Sequence, residues 1–88
     1  MKVVFSEDGW DDYLHWCDHE PKIHARLNVL IEQCRRDPFK GLGKPEPLRG
    51  ELKTWWSRRL TQEDRLVYRV FGSQPDQAIE ILQCRSHY

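Results

Sequence analysis

At 88 residues the chain has room for one domain around one core, spanning residues 1–88. Charged residues reach 32% and mean hydropathy is -0.80; no apolar run approaches the roughly 18 residues of a membrane span, which excludes an inserted protein. The apolar residues are periodic rather than sparse, which excludes a disordered chain. Zero net charge conceals an asymmetry, because residues 1–34 carry three Lys/Arg against seven Asp/Glu while residues 35–88 carry eleven against seven. A basic working face built by the C-terminal part, under an acidic N-terminal layer, suits a polyanionic ligand such as nucleic acid.

Val3, Val4 and Phe5 favour a short strand, closed by Ser6. Ser6 is placed to cap a helix predicted over residues 7–17, with Glu7 and Asp8 in the first turn, where the helix dipole favours anions. Trp10, Tyr13, Leu14 and Cys17 follow at helical spacing as its apolar stripe. Pro21 opens a second helix whose stripe is Ile23, Leu27, Leu30, Ile31 and Cys34; Arg35 and Arg36 suit its carbonyl end, and it must stop before Pro38. One short connection makes the two an antiparallel hairpin.

Residues 41–50 hold three glycines and two prolines, which break every helical window and predict a loop with at most an edge strand. Strands are predicted over residues 55–60, 65–71 and 78–85, joined by turns at 61–64 and 72–76 into consecutive antiparallel hairpins. In the middle strand, alternation sends Leu66, Tyr68 and Val70 toward the helices and Arg65, Val67 and Arg69 outward. In the last strand Ile79 and Ile81 share parity with Arg85 and His87, so either both faces are buried or a bulge resets the alternation. Trp55 and Trp56 must point to opposite faces, with Trp56 assigned to the core and Trp55 to the ligand side or a dimer interface. The fold class expected is α+β: an N-terminal strand and a helical hairpin packed on one face of a mostly antiparallel sheet of four or five strands.

Cys17, Cys34 and Cys84 are odd in number and read as core thiols of a cytoplasmic protein. His15, Cys17, His19 and His24 fall close together, and His15 and His19 share a helix face. Trp16 and Glu20 interrupt the set and no second ligand pair follows, so exposed imidazoles are expected, with no metal and no cofactor.

The outward face and its rim gather Glu46, Arg58, Arg59, Arg65, Arg69 and the terminal Arg85-Ser86-His87-Tyr88. Attack of a ribose 2′-hydroxyl on its own phosphate needs a base, a proton donor for the leaving 5′-oxygen and a cation at the phosphorane, and this set supplies all three. Pro45 and Pro47 brace the backbone on both sides of Glu46, fixing the direction of its carboxylate. The competing readings are a solvated loop glutamate, a surface ion pair of Arg65 with Glu63 or Asp64, and a frayed chain end.

The motifs Ser6-x-x-x-Trp10-x-x-Tyr13, Pro38-Phe39-x-Gly41-x-Gly43-Lys44-Pro45-Glu46-Pro47-Leu48, Trp56-Ser57-Arg58-Arg59, Arg65-Leu66-Val67-Tyr68 and Cys84-Arg85-Ser86-His87-Tyr88 run the length of the chain. Together they resemble the YoeB (Txe) toxins of the RelE superfamily. The resemblance implies a RelE-like fold and an endoribonuclease that cleaves mRNA at the A site of the 70S ribosome without a metal, inhibiting translation. It implies Glu46 as base, Arg65 as phosphate stabiliser and His87 as acid. Tyr88, Arg59, Lys44, Arg49 and Arg58 are then RNA-contacting residues. The implied partner is a cognate YefM/Phd-like antitoxin, with a homodimer as a further option. Two features depart from the family pattern: Ser86 stands where an aromatic residue is usual, and the 72–76 turn is longer. The alternative is a catalytically inactive module of the same fold that binds an antitoxin or ribosomal RNA. A DNA-binding role is disfavoured, because no recognition helix carries the basic residues.

Overall fold

A computed structural model describes residues 1–86 of the chain; His87 and Tyr88, the expected acid and stacking group, lie outside the described residues. The elements in order are β1 (Lys2–Phe5), α1 (Glu7–His19), α2 (Pro21–Arg36), β2 (Glu46–Pro47), a 3-10 turn (Gly50–Leu52), β3 (Trp56–Arg59), β4 (Arg65–Phe71) and β5 (Ala78–Gln83). The sheet order is β1-β5-β4-β3-β2. Only β1 and β5 run parallel; the other pairs are antiparallel. Both helices lie on one face of this sheet, so the α+β expectation holds. Among the described residues no helix is long and apolar enough to cross a membrane.

Ser6 caps α1 as its position predicts, its hydroxyl accepting the Gly9 N–H at 3.0 Å. The same hydroxyl donates to the Leu82 carbonyl at 2.6 Å, joining the helix start to the last strand. The helix runs two residues past its predicted end, because nothing stops it before Glu20, whose backbone leaves helical geometry (φ -138°, ψ 82°) ahead of Pro21.

The buried face of α1 differs from the one its apolar spacing suggests. Gly9, Asp12 and Trp16 are buried, while Trp10, Leu14 and Cys17 are exposed. Hydrogen bonding to the end of β5 decides this rotation. Asp12 Oδ2 accepts the Cys84 N–H at 3.0 Å, and the Trp16 indole donates to the Cys84 carbonyl at 2.8 Å. Gly9 permits the approach, since a Cβ there would stand 2.5 Å from the Ile81 carbonyl oxygen. Cys17 is therefore not a core thiol; Cys34 and Cys84 are.

The core lies between the helices and the inner sheet face, with Leu27, Leu30, Leu66, Tyr68, Ile79 and Ile81 at its centre. Trp56 packs against it, as expected, and its ring meets Phe39 with centroids 4.7 Å apart. In β5 the bulge is real: Val67 pairs with Gln83 but Tyr68 with Ile81, leaving Leu82 as the extra residue. Ile79, Ile81 and Cys84 can thus all face inward despite their unequal parity.

Burial of these groups shapes the response to alkali. Removal from water pushes the Cys34 thiol up to about 11 and the Cys84 thiol and Tyr68 phenol each up to about 12. The folded state holds these protons more tightly than the unfolded chain, so their contribution is intact below about pH 8.5, the ordinary thiol value, and is lost as pH climbs toward 12. Urea melts are expected to show a midpoint falling steadily above about pH 9, whereas a flat profile to about pH 11 would contradict it.

Candidate active site

The face of the sheet turned away from the helices carries the candidate chemistry. A cleft of about 460 Å³ opens there, lined by Leu48, Arg49, Leu52, Ser57, Glu63, Arg65, Val67, Leu82, Gln83 and Ser86. Leu82 and Gln83 line it together because the bulge turns two consecutive residues to the same side.

Glu46 reaches this face from the edge strand. A tight reversal through Gly43 (φ 82°) and Lys44 (φ 52°) delivers the chain to Pro45. Gly43 allows close packing, since a Cβ would sit 3.0 Å from the Arg58 Cβ and 3.1 Å from the Arg59 carbonyl oxygen. Glu46 then pairs with Ser57 across β2 and β3. Directly opposed residues have Cβ atoms about 4.5–5.5 Å apart and point the same way, so the exposed carboxylate stands beside Ser57, on the strand next to the one that lines the cleft.

Arg65 begins β4 and its guanidinium extends back to Ser57, with Nη1 to Oγ at 3.4 Å. Ser57 is 1% exposed, and it is thereby the common neighbour of the expected base and the expected phosphate ligand. The sequence motif contained Ser57 but gave it no part. Of the two outward arginines in β4, Arg69 is committed elsewhere: it pairs with Glu80 at 2.8 Å and lies over the Trp55 ring at 4.6 Å. Among the described residues Arg65 makes no ion pair with Glu63 or Asp64. Arg65 lines the cleft and, among the described residues, makes no salt bridge, so it is placed to meet an anion there.

Of the other expected RNA contacts, Arg49 lines the cleft, Lys44 is exposed in the loop before Glu46, and Arg59 is exposed on β3 opposite Arg65. Arg58 is a correction. It is completely buried, facing the helices, and every guanidinium nitrogen is used inside the protein. Nε donates to Tyr68 Oη at 3.1 Å, Nη1 to the Leu42 carbonyl at 3.0 Å, and Nη2 to the carbonyls of Asp37 and Lys40 at 2.6 and 2.9 Å. Adjacent residues on a strand alternate in direction, and with Arg59 outward Arg58 must point in.

The C-terminal segment reaches the same cleft through Ser86, whose amide donates to Asp64 Oδ1 at 2.6 Å. His87 and Tyr88 follow it in sequence, outside the described residues. The histidines weighed for zinc do not converge. The His15 and His19 rings stack 4.7 Å apart, the His24 ring meets Tyr13, and among the described residues no three potential ligands come together.

A second, larger cleft of about 770 Å³ lies on the other side of the molecule, between β1 and the two helices, lined by residues that include Val3, Phe5, Trp10, Tyr13, Ile31 and Arg35. It holds no cluster of groups fit for acid-base work on a phosphate. It carries instead an aromatic group at the margin of the core, with Phe5, Trp10 and Tyr13 in ring contact at 5.3–5.6 Å; Phe5 and Tyr13 pack against the core and Trp10 stands exposed.

A family model described as the YoeB-like toxin of bacterial type II toxin-antitoxin systems matches residues 5–88. Toxin YoeB of Escherichia coli K12 is 49% identical over 88 residues, covering both chains in full. Among solved structures, a YoeB/ParE toxin from Agrobacterium tumefaciens is 49% identical with a TM-score of 0.95 over all of both chains. A YoeB-YefM toxin-antitoxin heterotetramer from Staphylococcus aureus is 34% identical with a TM-score of 0.89, over 100% of this chain and 98% of that one. A YoeB dimer from the same organism superposes with a TM-score of 0.87. With a family match over nearly its whole length and relatives near half identity, the chain belongs to the YoeB-like toxins of bacterial type II toxin-antitoxin systems.

Proposed function

We propose that this chain is an endoribonuclease that cleaves mRNA in the ribosomal A site, and that it does so with its own side chains. Glu46 removes the proton from the ribose 2′-hydroxyl, whose oxygen attacks the adjacent phosphorus. Arg65 bears the charge that grows on the pentacoordinate phosphate, and Ser57 holds that guanidinium. His87 gives its proton to the departing 5′-oxygen. The P–O5′ bond breaks, leaving a 2′,3′-cyclic phosphate upstream and a 5′-hydroxyl downstream. The observation that carries this reading is the meeting at Ser57 of Arg65, by hydrogen bond, and Glu46, by strand pairing, where Ser57 and Arg65 line a cleft that Ser86 also lines and Glu46 stands on the neighbouring edge strand. Arg49, Arg59, Lys44 and Tyr88 bind the substrate backbone or bases around it.

A YefM-like antitoxin is the proposed partner, and the exposed apolar cleft of β1 and the helices is the surface that suits it. Trp10 is 46% exposed there and Leu14 on the same helix 38%, more than a lone chain needs to leave uncovered. Expression of the chain alone is expected to arrest growth, and coexpression with the neighbouring open reading frame to relieve it. Cleaved mRNA should carry 2′,3′-cyclic or 3′-phosphate ends, in the presence of chelator as in its absence. Products with 3′-hydroxyl ends, or activity abolished by chelation and restored by a divalent cation, contradict the mechanism.

A further inference from the structure

We propose that Asp64 is a positioning residue for the reaction: its carboxylate ties the Ser86 backbone, a wall of the cleft, to the turn that carries Arg65. The inference rests on the nuclease reading above and deepens it. Asp64 sits in the turn between β3 and β4, directly before Arg65. Its Oδ1 accepts the Ser86 N–H at 2.6 Å. Its Oδ2 accepts the Thr61 hydroxyl proton at 2.8 Å. That hydroxyl in turn accepts the N–H groups of Glu63 at 3.1 Å and Asp64 at 2.9 Å, and the Asp64 carbonyl accepts the N–H groups of Leu60 and Thr61.

Both oxygens of the carboxylate are therefore oriented, one by a turn closed on itself and one toward the chain end. A charge-assisted bond of this length is stronger than a neutral one. It acts together with the Asp12 and Trp16 bonds to Cys84, two residues upstream. The backbone is thereby held at two alternate residues, Cys84 and Ser86, where the chain borders the cleft. Thr61 and Asp64 are not needed to bury the core, since both are only partly buried at its edge. What the turn does is join two sides of the cleft, because the residue that anchors Ser86 is the covalent neighbour of Arg65. A carboxylate at this position has no substrate role in the mechanism, and its bonds all run to this chain.

The test compares Asp64→Ala, Asp64→Asn and Thr61→Val with the parent, reading mRNA cleavage on ribosomes in single turnover, thermal unfolding, and amide hydrogen exchange at Ser86. Misplacing a reacting group by about 1 Å costs on the order of 100-fold. Asp64→Ala should lose roughly 10- to 100-fold in kcat with KM within about threefold, and Ser86 should lose exchange protection. Asp64→Asn keeps an acceptor oxygen for Ser86 and should stay within about fivefold of the parent; Thr61→Val should fall between. Equal losses in Asp64→Asn and Asp64→Ala would assign the effect to charge and overturn the proposal. So would parental kcat in Asp64→Ala, or a loss that simply follows the unfolded fraction. If the parent itself does not cleave RNA, the nuclease reading fails. The anchor is then judged by exchange alone, and unchanged Ser86 protection in Asp64→Ala overturns it.

Discussion

Replacing Glu46 with Gln is expected to lower cleavage by about 10²- to 10⁴-fold, and replacing Arg65 with Ala by about 10²- to 10³-fold, with the fold intact in both. Glu46 is exposed on a two-residue edge strand, so its amide isostere removes a base and nothing the core depends on. Arg65 is also exposed, and the bond it makes, at 3.4 Å to Ser57, is a long one; its loss should leave the melting temperature within a few degrees. Lysine at position 65 should restore only part of the rate, because an ammonium cannot present the planar fork that meets two phosphate oxygens. The loss should fall on kcat more than on KM, as expected for groups whose interaction grows toward the transition state. With one group acting as base and another as acid, the rate should also pass through a maximum with pH. Cleavage assays on ribosomes and growth arrest on expression check this together. Variants at Glu46 and at His87 that cut RNA and arrest growth like the parent would leave the inactive binding module as the surviving reading.

Arg58→Ala should behave in the opposite way, destroying stability rather than chemistry. Its removal takes the donor from the carbonyls of Asp37, Lys40 and Leu42, in bonds that are all partly buried, and from the buried Tyr68 hydroxyl, which keeps only its bond to the Pro38 carbonyl. Each buried group left without a partner costs about 1–3 kcal/mol, so a total loss of about 3 kcal/mol or more is expected. At about 4–8 °C per kcal/mol for a domain of this size, the melting temperature should fall by at least about 12 °C. Arg58→Met should do little better, because filling the volume leaves the same carbonyls unpaired. Arg58→Lys should rescue only partly, since one ammonium cannot span the four acceptors. The segment these bonds hold, residues 37–42, leads directly into the reversal that carries Glu46, and the folded fraction should therefore also show a loosened loop. Calorimetry beside an RNA-binding titration separates the two roles. A surface RNA contact at Arg58 would weaken binding and leave the melting temperature alone, and that result would refute the structural assignment.

The order of elements was legible in the chain because each signal is local. Ser6 caps within three residues, Pro21 and Pro38 bound the second helix by steric exclusion, and alternation in β4 sorts Leu66 and Tyr68 from Arg65 and Arg69 without reference to anything distant. The placement of two candidate site residues was legible for the same reason. Two prolines announce a fixed Glu46, and strand parity aims Arg65 outward.

Tertiary structure alone decided the rest, and each case involves partners far apart in sequence. The rotation of α1 was set by Asp12 and Trp16 bonding Cys84, 72 and 68 residues away; apolar spacing suggested a different face because hydrophobic periodicity does not register a polar group paired in the interior. Arg58 looked like one more cation of a basic strand until three loop carbonyls closed around it. Asp64 looked like a turn acid until Ser86, 22 residues on, donated to it. Periodicity along a chain reports which face of an element is apolar, but a hydrogen bond between distant backbone and side chain forms only after the sheet has assembled, and these bonds fix the helix rotation, the buried Arg58 and the anchored Ser86.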